Sequence, residues 1–171
     1  MKNYRETDPE FVERLEHFAF DEVVNEPGQQ LDDTTRHMVI LATLLGCQGT
    51  DAFRMELVRA LDAGITPVMA KEIIYQAVDY LGIGRVLPFL DIANQVLEGR
   101  GIALPLDSQS TTTLENRLEK GAQTQADIFG PQMVEAWKQG HMNRWVAANC
   151  FGDYYTRTGL DLKQRELITF C

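Results

Sequence analysis

Residues 31–46 read LDDTTRHMVILATLLG. Asp32 is of a type that caps helices, because its short carboxylate accepts from the free N–H groups of a first turn. Beyond Arg36 the run is apolar around most of a helical circumference, and such a helix buries itself on all sides. It predicts a central helix ending at Gly46. Gly46 and Gly49 bracket a short break that holds Cys47. Downstream, Thr50 or Asp51 caps a helix that ends at Gly64, and Thr66-Pro67 caps another through Lys71, Ile73, Ile74 and Ala77 to about Tyr80. Gly82 and Gly84 interrupt the chain before a helix with Phe89, Ile92, Ala93, Val96 and Leu97 that ends at Gly99. Upstream, Asp8-Pro9-Glu10 opens a helix carrying Phe11, Leu15 and Phe18, which stops before Pro27-Gly28. No run of useful length alternates with the period of a strand. The fold class is all-α.

Residues 101–113, GIALPLDSQSTTT, have the composition of a linker. Beyond them, 114–129 is an amphipathic helix, Gly130-Pro131 opens another, and helix follows from about Asn143 to Thr158. Asp161 opens a last one with Leu167, Ile168 and Phe170. Leu160, Asp161 and Arg165 align with Leu31, Asp32 and Arg36, and the upstream Cys150-Phe-Gly-Asp153 resembles Phe18-Ala-Phe-Asp21. An internal duplication is the expected cause. The chain then divides into a first repeat over 1–100, a linker over 101–113 and the front half of a second repeat over 114–171. A final helix this short is marginal unless docked. The expectation is therefore a chain that has lost its C-terminal part, or a helix that docks on a partner subunit.

The 171 residues suit one domain of ordinary size. The net charge of −9 disfavours a nucleic-acid binder, which needs a basic face, and a protein that docks on anionic membrane. No stretch approaches the ~20 apolar residues of a membrane span. The polar N-terminus does not read as a secretory signal. Cys47, Cys150 and Cys171 are far apart and odd in number, which argues against a disulfide framework and for the cytoplasm. His17, His37 and His141 are equally scattered, so no metal site is expected.

The stretches 31–46, 52–83 and 151–170 resemble the carboxymuconolactone decarboxylase family, most specifically in ALDAGITP at 60–67. The resemblance implies an all-helical bundle of the alkylhydroperoxidase-D type, usually assembled as trimers or hexamers of the repeat. It also implies chemistry without metal or organic cofactor, on a small carboxylated lactone or related acid. The redox branch of the family resembles Cys-x-x-Cys-x-x-x-His. Here Cys47 stands at the first Cys, Thr50 at the second and Arg54 at the His. The decarboxylase branch carries a His where Glu56 stands. The family commonly has Glu after the Arg of the central helix, where this chain has His37 in the first copy and Glu166 in the second.

Losing CO2 from a lactone acid leaves electron density that must reach a carbonyl and then take a proton. The site needs cationic anchors for carboxylate and a proton carrier. The candidates are Glu56 as proton carrier, with Arg54 and Arg36 as anchors, because a guanidinium fork fits a carboxylate. Glu56 and Arg54 fall on opposite borders of the inward stripe of Phe53, Leu57, Ala60 and Leu61. Cys47 reads as a small buried side chain, or as the nucleophile of a thiol-dependent peroxide or electrophile reductase. The latter needs a resolving thiol, which Cys150 supplies only if the fold brings it near. Glu166 reads as part of a second site, or as a solvated carboxylate at a helix start. A third reading is a non-catalytic first repeat that serves assembly. Trp137, Trp145, Tyr154 and Tyr155 read as core or subunit packing. The apolar surface left by an incomplete repeat predicts a homo-oligomer.

Overall fold

The structure is a computed structural model and describes residues 4–28 and 31–171. Among them no strand occurs, and the chain is an all-α bundle as its periodicity requires. Two helices, α1 (Tyr4–Thr7) and α2 (Pro9–His17), lead to the central α3 (Asp33–Gly46). Asp32 caps α3 by accepting from the Thr35 N–H at 2.9 Å. Then follow α4 (Thr50–Asp62), α5 (Pro67–Gln76), α6 (Val78–Leu81) and α7 (Ile83–Gly99). Thr66 caps α5, with Pro67 as its first residue. Met38, Leu41 and Leu45 of α3 meet Phe53 and Leu57 of α4, Ile73 and Ile74 of α5, and Phe89 of α7 in one buried core. Phe53 and Phe89 pack edge to face with ring centres 5.0 Å apart. No helix among the described residues is long and apolar enough to cross a membrane.

After the irregular stretch around 101–113 come α8 (Arg117–Phe129), a 3-10 segment (Pro131–Gln139), α9 (His141–Trp145), a π-helical segment (Val146–Tyr155) and α10 (Leu162–Phe170). The π-helical segment lies along α8 through Gly121 and Gly152. The Thr112 and Thr156 hydroxyls both donate to the Gly152 carbonyl, at 2.8 and 2.7 Å. Tyr155 is buried against Phe151, whereas Trp145 is exposed.

The two stretches aligned in the sequence share local structure. Phe18–Glu22 is π-helical, as is Val146–Tyr155, and each precedes a helix capped by an Asp. Their arginines part ways. Arg36 turns back on its own helix start, to Asp33 at 2.9 Å and the Leu31 carbonyl at 3.0 Å. Arg165 reaches across to α5, to Glu72 at 3.0 Å and Gln76 at 3.1 Å, and is fully buried.

That bond crosses to one of the helices on which α10 rests. The last helix docks on the chain's own α3 and α5, and Leu160 and Ile168 join the central core. The expectation of a lost C-terminal part, or of a seat on a partner subunit, rested on the shortness of this helix. It missed a buried ion pair with a partner more than ninety positions away.

Candidate functional site

His37, in the second turn of α3, and Glu56, in the second turn of α4, meet across the interface of those helices. The His37 Nδ1 lies 2.6 Å from the Glu56 carboxylate, and their side chains are 16% and 5% exposed. The other Glu56 oxygen has Arg59 at 3.8 Å. Glu56 is therefore buried, rather than the partly exposed border residue that its helical angle suggests. A carboxylate accepting from Nδ1–H fixes the tautomer and leaves the lone pair of the neutral ring on Nε2. It also stabilises the imidazolium formed when Nε2 takes a proton. Such an arrangement can carry a proton, with the carboxylate as counter-ion. Sequence reasoning named Glu56 and passed over His37. The signal was present, since Glu and His stand here in exchanged positions relative to the family pattern.

The remaining candidates are not gathered around this pair. Arg54 donates to the Gln95 amide oxygen of α7 at 2.8 Å, and Arg36 is held by Asp33 and Leu31. Cys47 is exposed rather than buried, because the break between α3 and α4 lies at the surface; its Sγ is 3.6 Å from the Leu44 carbonyl. Cys150 lies 3.9 Å from the Tyr80 hydroxyl, and all three cysteines are free. Burial first, then the Asp79 charge, pushes the Cys150 thiol up to about 12, which leaves almost no thiolate at neutral pH. Glu166 is exposed on α10 and acts on Tyr155 and Cys150. Among the described residues, no group of three or more His, Cys, Asp or Glu side chains is placed to hold a metal ion.

A second polar cluster surrounds Cys150. The Tyr80, Tyr155 and Thr169 hydroxyls form a chain with spacings of 3.1 and 3.3 Å. Beside it, one Asp79 oxygen is buried without a hydrogen-bond partner. Burial, opposed by the Cys150 thiol, pushes the Asp79 carboxyl up to about 6 from 3.8. The folded state then holds more protons than the unfolded state between those values, so stability falls as pH rises through that window. Asp79 is half-buried, and screening reduces the penalty at neutral pH to about 1 kcal/mol. Asp79→Asn is expected to be more stable than the wild type by about that amount at pH 7 in urea denaturation. The difference should vanish near pH 4. An Asn variant that is less stable at pH 7 contradicts the assignment.

The profile of the carboxymuconolactone decarboxylase family matches residues 9–95, a stretch that contains both His37 and Glu56. A 4-carboxymuconolactone decarboxylase of Acinetobacter baylyi is 30% identical over 103 residues, which cover 60% of this chain and 75% of that protein.

Proposed function

Since the chain belongs to the carboxymuconolactone decarboxylase family, we propose that it decarboxylates a small carboxylated lactone or related acid, with His37 and Glu56 as its proton-handling pair. The observation that carries this reading is the buried carboxylate held 2.6 Å from an imidazole nitrogen. In the proposed step the bond to the carboxylate carbon breaks, and its electron pair moves into the conjugated carbonyl as CO2 leaves. A proton from the His37 Nε2 then forms the new C–H bond, and the ring regains its proton from water. Glu56 holds the imidazolium charge before the transfer. Of the two candidate anchors Arg54 is the freer, since Arg36 is already held by the Asp33 carboxylate. The present partner of Arg54 is a neutral amide, and a substrate carboxylate replaces that with a charge-assisted bond. No metal or organic cofactor enters this scheme. Assembly as a homo-oligomer is part of the proposal, supported by the exposed Phe11, Leu15 and Phe18. Thiol-dependent reduction is less well supported, because Cys150 lies with Tyr80 and is held as thiol.

The test is CO2 release from 4-carboxymuconolactone by His37→Gln, by Glu56→Gln and by the exchanged double variant His37→Glu/Glu56→His. General acid–base catalysis contributes about 10²–10⁴ in rate. Each single variant is expected to lose at least about 100-fold in kcat with little change in KM, and the exchanged pair to recover most of it. Single variants whose kcat stays within about threefold of the wild type would overturn the assignment and favour an assembly role for this repeat.

A further inference from the structure

A cavity of about 580 Å³ opens between α5, α7 and the segment 104–109, with Arg157 closing one side. No residue of α3 or α4 lines it, so it is built apart from the His37–Glu56 pair. Two cations face it. Lys71 is only 7% exposed, and its Nζ donates to the Asn94 amide oxygen. Among the described residues no carboxylate lies within 4.0 Å of that ammonium. Burial pulls the Lys71 ammonium down, against the more distant Glu98 charge. A buried cation without a counter-ion is costly, and its cost is relieved by an anion that enters the cavity.

The second cation is Arg157. Its Nε and Nη2 donate to Glu72 at 3.0 and 2.8 Å, and among the described residues the Nη1 donors have no partner. Glu72 is already shared with Arg165, so two guanidinium groups face one carboxylate. The Arg157 guanidinium sits 5.1 Å over the Tyr75 ring, which holds its plane. The acidic residues of the cavity wall other than Glu72 are Glu98 and Asp107, and both are exposed at the rim. The inner end therefore has a positive surplus, whereas the rim repels ions of high charge. Val68, Leu104 and Leu106 add apolar wall.

We propose that this cavity is a binding site for a small monocarboxylic acid with an apolar body, anchored by Lys71 and Arg157. The carboxylate takes the free donors of both cations, and the body lies along Tyr75 and the leucines. The proposal does not rest on the decarboxylase reading.

The test is calorimetric titration of the full chain with benzoate, with benzamide as neutral isostere and inorganic phosphate as the multiply charged ion. Benzoate is expected to bind at least about tenfold more tightly than either. Lys71→Met is expected to lower benzoate affinity at least about tenfold while the melting temperature holds or rises, because Met fills the same space without a desolvated charge. Glu56→Gln is expected to titrate like the wild type. The proposal is overturned if benzoate does not bind, if benzamide or phosphate matches it, or if affinity follows Glu56 rather than Lys71.

Discussion

Gly121→Ala is expected to destabilise the C-terminal bundle by about 3 kcal/mol or more, the upper end of what overpacking costs. A Cβ at Gly121 stands 1.8 Å from the Ala147 carbonyl oxygen and 2.6 Å from the Gly152 nitrogen. From the opposite side, a Cβ at Gly152 stands 2.2 Å from the Arg117 carbonyl oxygen. These neighbours are backbone, with no flexible side chain to swing aside, so α8 and the π-helical segment must separate. Helix propensity pulls the other way, since Ala is favoured over Gly by about 1 kcal/mol in a helix interior. The steric term is larger and sets the sign. Gly84→Ala in α7 is the control, because a Cβ there meets nothing within 4 Å. It should be neutral or slightly stabilising. Urea denaturation reads the difference, and hydrogen exchange locates it. Protection should fall over α8 and 146–155 first, while α3 to α5 stay protected. A Gly121→Ala protein as stable as the wild type would mean that the two helices do not meet backbone to backbone.

The glycine pair shows where the sequence falls silent. A glycine inside a helix has several readings, and only the helix across from it says which applies. What is local was legible: the apolar run of α3, its Asp32 cap, and the caps of α5 and α10 follow from neighbouring residues. Glu56 was legible as a candidate from its position, but its burial was not, because His37 meets it through the crossing of two helices. One reading of Cys47 was a small buried side chain, yet the chain leaves the core at that break and the thiol is exposed. Arg36 and Arg165 occupy matching positions after matching caps and differ completely in surroundings. The difference lies in Glu72 and Gln76, which no local pattern connects to Arg165.

That buried pair carries the second large expected effect. Glu72→Gln removes the charge shared by Arg157 and Arg165 and keeps the shape of the side chain. Arg165 is fully buried, and its Nε already has no hydrogen-bond partner. Burial pulls the Arg165 guanidinium down, and the bond to Glu72 is the largest contribution holding it up. Removing one partner of a buried pair costs about 3–5 kcal/mol, because the other charge is left uncompensated. Arg165→Met should cost less. Glu72 then keeps its bidentate partner Arg157, whose side chain still reaches solvent. If α10 were held mainly by its apolar contacts, Leu160 and Ile168 would supply about 1.5–3 kcal/mol each and both charge variants would be mild. Urea denaturation with limited proteolysis across 156–163 separates the two cases. The ion pair holds the helix if Glu72→Gln costs more than Arg165→Met and exposes that segment to cleavage. If the order is reversed, or neither variant releases the segment, apolar packing holds α10 and Arg165 only fills the space beneath it.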